Sequence, residues 1–272
     1  MKLNRARVMK SDWITSVLPS STKYSRVSVY HPTTDIDWPE VAESYLNNQL
    51  SARKVVSSSK STQVEEVSGL YLRNSYFFKK YFHRGTWDRV KSCVRASRAM
   101  RAFIAAQKLR EQGFNVAEVC CLIECYRFGF PSTSVLVAIA VEPAITLRKW
   151  FSEKMWYQQG GTFLKCKVIG LLAREVGRMH RMGIYHGDMN LGNILLPCSK
   201  SGDFVWLDTE RVNFYSRLPE KKRKQNLRQL TKIDVGLSDA DYQSFLNDYL
   251  EVAGLRSNQL MLDFGPVHSS SS

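Results

Sequence analysis

The stretch His180-Arg181-Met182-Gly183-Ile184-Tyr185-His186-Gly187-Asp188-Met189-Asn190-Leu191-Gly192-Asn193-Ile194-Leu195-Leu196, with Phe204-Val205-Trp206-Leu207-Asp208 soon after it, decides how the rest of the chain is read. A short apolar strand is expected to end at Tyr185, with Asp188 in the loop beyond it. Asn193 follows five residues later, and Ile194-Leu195-Leu196 leads away from it. A second apolar strand, Phe204 to Leu207, delivers Asp208. Two carboxylates and one amide carbonyl at the ends of short buried strands form an oxygen donor set. Hard cations such as magnesium take such ligands together with substrate phosphates. An Asp five residues before an Asn is, taken alone, a common accident of solvated turns. The order helix, Gly stop, strand, Asp, Asn, strand, turn, strand, Asp is not.

That order is the layout of protein-kinase-type phosphoryl transfer, in which the first Asp accepts the hydroxyl proton and the Asn and second Asp hold metal on ATP. The helix leading into it spans Thr162 to Met182, with Leu164, Val168, Leu171, Leu172, Val176 and Met179 on one face. Thr162 is its expected N-cap and Gly183 its C-terminal stop. Upstream, Val116 to Tyr126 and Thr133 to Val141 read as strands joined by a turn around Gly129 and Pro131. The second is apolar throughout, as a buried central strand is. It ends at Val141-Glu142-Pro143, where the chain is expected to cross between lobes and where the backbone at Glu142 would meet an adenine ring.

In the first half, Asp37-Trp38-Pro39-Glu40 opens a short helix, and strand-like patterns run from Arg53 to Lys80. Lys79 ends the aromatic strand Tyr76-Phe77-Phe78-Lys79, the position from which a kinase lysine reaches the phosphates of ATP. Lys80 points to the opposite face by alternation; Lys79 is preferred because it shares a face with Phe77. A lysine on a solvated edge strand is the plainer alternative. The turn Ser57 to Ser61 lies where a kinase folds a glycine-rich loop over the phosphates, yet it holds no glycine and reads equally well as a hairpin loop. Residues 88 to 112 read as one long helix, closed by Gly113, with Lys91, Arg95 and Arg98 in a stripe scarcely balanced by acids. Such a stripe is either a solvated face or an anion-binding one.

The 272 residues carry a net charge of +14, with 44% hydrophobic residues and a pI near 9.6. That size suits one large domain or two lobes. The charge points to a polyanion: nucleic acid, an anionic membrane surface or a phosphorylated substrate. Six cysteines include Cys120, Cys121 and Cys125 but no C-x-x-C pair, which argues against a zinc site or a secreted disulfide framework. The start lacks a signal-peptide h-region and the longest apolar run is too short to span a bilayer. A cytoplasmic chain, peripheral on a membrane at most, is expected. Its organisation reads as a polar arm over 1–25, a first lobe over 26–142, a second over 143–266 and a disordered tail over 267–272. Within the second lobe, Lys221-Lys222-Arg223-Lys224 is a dense basic cluster, and Ser238-Asp239-Ala240-Asp241 opens a last helix.

Several of these strings together resemble the bacterial lipopolysaccharide kinases, the WaaP/InaA-type and Kdo kinase group. They are Tyr185-His186-Gly187-Asp188, Asn193-Ile194-Leu195-Leu196, Trp206-Leu207-Asp208-Thr209-Glu210-Arg211, Phe77-Phe78-Lys79-Lys80-Tyr81, Ser97-Arg98-Ala99-Met100-Arg101 and Asn226-Leu227-Arg228-Gln229-Leu230. The similarity runs in order over roughly residues 70 to 235. It implies an α+β, protein-kinase-like two-lobed fold, with a small antiparallel-sheet N-lobe and a mainly helical C-lobe. It also implies transfer of the γ-phosphate of ATP to a heptose or Kdo hydroxyl of the lipopolysaccharide inner core, at the inner face of the inner membrane. By carry-over Asp188 is the catalytic base, Asn193 and Asp208 hold Mg2+ on ATP, and Lys79 is the nucleotide lysine.

One departure stands out. Related sequences carry a Glu after the Ser-Arg-Ala-x-Arg string to pair with the lysine, and this chain has Ala102 there. Glu111, Glu118 or Glu124 are the candidate substitutes. With the glycine-free turn, Ala102 keeps open a pseudokinase-like nucleotide-binding or regulatory protein, and the charge keeps open a kinase fold acting on another polyanion, nucleic acid included.

Overall fold

The computed structural model describes residues 13–19, 21, 23–32, 34–50, 52–69, 72–83, 95–197, 203–231 and 235–255. The chain divides into two compact units, Met1–Val141 and Glu142–Ser272.

The long apolar runs of the first unit pair with each other. β6 (Val119–Arg127) and β7 (Phe130–Ile139) form the centre of an antiparallel sheet. β1 (Trp13–Leu18) and β2 (Arg26–Pro32) extend it on one side, and β5 (Leu72–Tyr81), β4 (Thr62–Gly69) and β3 (Arg53–Ser58) on the other. The order is β1-β2-β6-β7-β5-β4-β3. Helix α1 (Trp38–Leu46) starts where the Asp37 carboxylate accepts from Glu40 N–H at 3.1 Å, with Pro39 in its first turn. It buries Trp38, Val41, Ala42 and Tyr45 with Val29, Phe78, Cys121, Ile123 and Val137 of one sheet face. Helix α2 (Arg98–Glu111) packs on β5, β6 and β7, and by alternation its sheet partners are the residues between these, such as Leu122 and Leu136.

Two sequence expectations change here, and two open readings are settled in detail. Residues 13–18, expected within a loose arm, form β1 along the whole of β2, from Trp13↔Pro32 to Leu18↔Val27; backbone pairing does not require an apolar pattern. The helix expected over 88–112 starts only at Arg98, because the Ser97 hydroxyl accepts from Met100 N–H at 3.0 Å and caps it there; residues 88–94, Lys91 among them, lie outside the described residues. The segments around Leu72 and Tyr76 are one strand, β5, with a register shift against β4 between Val67 and Gly69. β5 lies between β4 and β7, so Lys79 does not sit on an edge strand.

The second unit is mainly helical. α3 (Leu147–Ser152) is capped by the Thr146 hydroxyl, 3.2 Å from Lys149 N, and is followed by α4 (Trp156–Gln159) and α5 (Gly161–Arg181). Thr162, the expected N-cap of α5, lies inside its first turn; the capping position belongs to Gly160, with no side-chain cap. Gly183 follows the helix at φ +77°. Then come β9 (Ile184–Tyr185), β10 (Ile194–Pro197), β11 (Val205–Trp206) and β12 (Asn213–Phe214). β10 pairs with β11 and with β8 (Ala144–Thr146), and β12 with β9. α6 (Glu220–Thr231) and α7 (Asp239–Ala253) complete the unit. The Ser238–Asp241 capping box opens α7 as expected. The core includes Leu147, Trp150, Phe151, Ala173, Val176, Ile184, Ile194, Trp206, Leu227 and Tyr249. No helix among the described residues is long and apolar enough to cross a membrane. The expected tail, 267–272, lies outside them.

Candidate active site

The β10–β11 ladder brings the predicted site residues of the second unit together. Ile194 pairs with Trp206, and Leu207 N–H donates to Asn193 O at 2.9 Å. Asn193, which precedes β10, and Asp208, which follows β11, therefore stand at the same end of one ladder. Asn193 Nδ2 donates to the Asp188 carbonyl at 2.9 Å, which joins the third residue to them. Asn190 steadies the loop twice: its Nδ2 donates to Asp188 Oδ1 (3.1 Å) and its Oδ1 accepts from Gly192 N–H (2.9 Å). Because the Asn193 amide nitrogen is committed to the loop, its oxygen is the group it offers to a ligand. Asp208 sits in the left-handed region at φ +54°, ψ +56°. Asp is one of the few residues that tolerates this conformation, and it marks a sharp change of chain direction at the end of the strand.

Two devices hold the loop from behind. His186 is fully buried; its Nε2–H donates to Leu207 O at 3.0 Å, Nδ1 has no hydrogen-bond partner among the described residues, and the ring lies against Trp206. Burial holds its pKa down, despite the opposing fields of Asp208 and Asp188. Gly187, at φ +35°, passes so close to Arg211 that a Cβ there would collide with the Arg211 backbone. The second device comes from α6. Asn226 Oδ1 accepts from His186 N–H and from His180 Nε2–H, both at 3.2 Å. Asn226 Nδ2 donates to Gln229 Oε1, which also accepts from Met189 N–H, while Gln229 Nε2 donates to Gly187 O. Tyr249 closes the chain by donating its hydroxyl to His180 Nδ1 at 2.9 Å. Every backbone group of the loop that faces α6 in this set is thereby satisfied in a buried site, where an orphan is costly. Gln229→Met leaves Met189 N–H and Gly187 O without these partners, a cost of roughly 1–3 kcal/mol each. The expected outcome is a lower Tm than that of the unmodified chain, checked by calorimetry; an unchanged Tm contradicts the clamp.

The same network sets a pH response. Burial pushes the His180 pKa down to about 3, outweighing the hydrogen bond to Asn226, whereas a free imidazole titrates at about 6.5. The unfolded chain thus binds a proton that the folded one refuses between those values. Stability from this residue is complete above the unfolded pKa and drains as pH falls towards the folded one. The size is on the order of a few kcal/mol, and His186 acts in the same direction. Tm should therefore drop between neutral pH and pH of about 5, measured by calorimetry; a Tm that rises on acidification contradicts this.

In the first unit, Lys79 pairs by register with Val64 and Leu136, and its ammonium lies 5.5 Å from the Tyr81 ring centre. It shares a face with Phe77 and Tyr81, and Arg98 of α2 stacks on the same Tyr81 ring. Lys80 faces the α1 side, where burial and the charge of Lys23 lower its pKa in spite of Glu65. Ala102 is buried in α2. Of the three candidate carboxylates, Glu111 and Glu118 are exposed, whereas Glu124 is buried and accepts from Tyr30 and Tyr126 hydroxyls at 3.3 and 3.2 Å. Arg95 and Arg98, from the predicted basic stripe, line a cavity of about 100 Å³ with Arg101 and Glu124. The Ser57–Ser61 turn is a tight hairpin that uses its own hydroxyl: Ser59 Oγ accepts from Ser61 N–H (3.3 Å) and Thr62 N–H (3.1 Å).

Glu142 is exposed and opens the second unit. The basic cluster on α6 is less available than its sequence suggests. Lys224 pairs with Glu220 at 2.6 Å, Lys222 lies 4.6 Å from the Tyr185 ring centre, Arg223 has a buried Nε, and only Lys221 is exposed. Sequence reading missed the positioning roles of His186, Asn190, Asn226, Gln229 and Tyr249. The Asn226–Leu230 string was visible, but its partners lie about forty residues away along the chain.

The oxygen donors fit a magnesium ion that keeps water and substrate phosphates as its remaining ligands. They do not form an all-protein cage, and no cluster of three or more His, Cys, Asp or Glu ligands occurs among the described residues.

Comparison with known proteins gives one consistent answer. The lipopolysaccharide kinase (Kdo/WaaP) family matches residues 49–249. The lipopolysaccharide core heptose(I) kinase WaaP of Pseudomonas aeruginosa is 28% identical over 199 residues, covering 68% of this chain and 71% of its own. The 3-deoxy-D-manno-octulosonic acid kinase of Vibrio vulnificus is 25% identical over 191 residues, covering 66% and 72%. Among solved structures, WaaP in complex with acyl carrier protein aligns at a TM-score of 0.58 with 21% identity, over 80% of this chain and 88% of that one. The likeness is one of fold, and the fold is the protein-kinase-like α+β architecture expected from the sequence.

Proposed function

This chain belongs to the lipopolysaccharide kinase (Kdo/WaaP) family, and from that premise we propose that it transfers the γ-phosphate of ATP to a hydroxyl of a heptose or Kdo residue in the lipopolysaccharide inner core. The observation that carries the proposal is the convergence of Asp188, Asn193 and Asp208 at one end of the β10–β11 ladder. Asp188 accepts the proton of the attacking sugar hydroxyl, the new P–O bond forms as the bond to ADP breaks, and ADP leaves. Asn193 and Asp208 are the residues that would hold Mg2+, and a bound ion would supply charge neutralisation on the phosphates. Lys79 meets the phosphates, and the backbone at Glu142 meets the adenine. Asn190, Asn226, Gln229 and His186 keep the loop in position, which is most of what phosphoryl transfer asks of a protein.

An acceptor carried on a glycolipid places the chain at an anionic membrane surface on the cytoplasmic side, and the net charge of +14 suits that surface. Acyl carrier protein accompanies the WaaP structure and is the protein partner to try first in vitro. The reading is tested by ADP release with Mg2+, ATP and delipidated inner-core oligosaccharides ending in heptose or in Kdo. Release that depends on one of these acceptors supports it. ATP binding without acceptor-dependent release favours instead the regulatory alternative suggested by Ala102.

A further inference from the structure

The hairpin between β6 and β7 carries two phenylalanines at a place where local structure asks for something else. Phe128 and Gly129 form the two-residue loop between the paired residues Arg127 and Phe130, and both have positive φ, +50° and +79°. A loop with two left-handed residues is of type I′, for which Asn-Gly or Asp-Gly is the favoured pair. A bulky residue in that region is a steric outlier. Phe128 is also 79% exposed and Phe130 66%, so neither ring is used by the core. Strain and exposure at one position indicate that the residue serves something outside the fold.

The surroundings are of one charge. Arg26, opposite Tyr126 on β2, lies 4.2 Å from the Tyr126 ring centre, and Arg127 lies 5.4 Å from that of Phe128. Lys23 is nearby in sequence, and all three are exposed. Residues 23–31 and 125–139, the segments that meet at the tip, contain no acidic side chain. Val17, 63% exposed, reaches the same end of the sheet through its pairing with Ser28.

We infer that this hairpin tip is a wedge for an anionic bilayer, with Phe128 and Phe130 entering the boundary between headgroups and acyl chains and Lys23, Arg26 and Arg127 meeting lipid phosphates. Two rings on a narrow tip inside a basic collar suit a deformable anionic surface. The inference deepens the reading of a glycolipid acceptor, yet its test needs no acceptor. It also moves the expected membrane contact from Lys221–Lys224, whose side chains are largely engaged within the second unit, to the first unit.

The full chain is sedimented with vesicles of phosphatidylethanolamine and phosphatidylglycerol, against phosphatidylcholine alone. Phe128→Asn installs the residue a type I′ turn favours, so Tm should hold or rise while binding to anionic vesicles falls. Moving one phenylalanine side chain out of water corresponds to roughly a ten- to hundred-fold change in partition; Phe128→Asn with Phe130→Thr should lose more. Phe130→Trp should show blue-shifted emission with anionic vesicles only. Arg26→Gln with Arg127→Gln should weaken binding at low salt and flatten its salt dependence. Phosphorylation of a delipidated oligosaccharide should stay at the wild-type rate in all of these, which separates failure of the wedge from failure of the kinase reading. Wild-type-like vesicle binding by the double phenylalanine variant, an unmoved indole emission, or an unmodified chain that binds neither vesicle overturns the inference. Capture of an acidic protein by the tip without vesicle binding does so as well.

Discussion

Replacing Asp188 by alanine is expected to lower kcat for the sugar acceptor by about 10²–10⁴-fold, the usual consequence of removing a general base, with ATP affinity within a few-fold of the unmodified chain. The geometry explains why the two should separate. Asn193 is held through the main-chain carbonyl of Asp188, not through its carboxylate, so the alanine variant keeps the bond that orients the amide. What it loses is the carboxylate and the Asn190 Nδ2 contact to Oδ1. Steady-state kinetics with acceptor and calorimetric titration of Mg-ATP check the two halves independently. Near-full turnover in Asp188→Ala would place the base on another residue.

Asp208→Asn should be as damaging by a different route. Asparagine adopts the left-handed backbone at least as readily as aspartate, so the left-handed conformation after β11 at φ +54° is preserved and Tm should barely move. The negative charge is lost, and with it a hard ligand that the proposed Mg2+ would share with the phosphates. Metal neutralisation of phosphoryl oxygens supplies several kcal/mol of transition-state stabilisation, so turnover at fixed Mg2+ should fall by about 10²-fold or more. Mg2+ dependence of nucleotide binding should weaken more than binding of metal-free nucleotide. An unchanged metal requirement would count against the assignment.

The residues of the second-unit site were legible because their order is local. A helix stop at Gly183, an Asp in the next loop and an Asn before the following strand all fall within one short stretch, and strand pairing then only has to close β10 on β11. The helical and strand periods likewise showed α5, β6 and β7. What stayed hidden depends on contacts distant in sequence or on atoms that patterns do not encode. The clamp on the loop needs α6 to return from residue 226 to residue 186. The start of α2 is decided by a single serine hydroxyl at Ser97, against an apolar spacing that continues past it. β1 has no amphipathic signature because it follows β2 by backbone pairing. The Thr162 hydroxyl looked like a cap by type, but the chain turns two residues earlier at Gly160. In the Lys221–Lys224 cluster the contact of Lys222 with the Tyr185 ring is likewise distant in sequence, whereas Glu220–Lys224 is an i,i+4 spacing that the sequence carries. Ala102 is a departure that the sequence could name but not resolve. Of its candidate substitutes, Glu124 is the buried one, and it accepts from the hydroxyls of Tyr30 and Tyr126.

Mass spectrometry of a delipidated inner-core oligosaccharide incubated with the purified chain, Mg2+ and ATP bears on all of this at once. The acceptor should gain one phosphoryl group on a heptose or Kdo hydroxyl, in step with ADP, and should gain none with Asp188→Ala. An acceptor left unchanged by a folded chain that binds Mg-ATP would contradict the phosphotransferase reading.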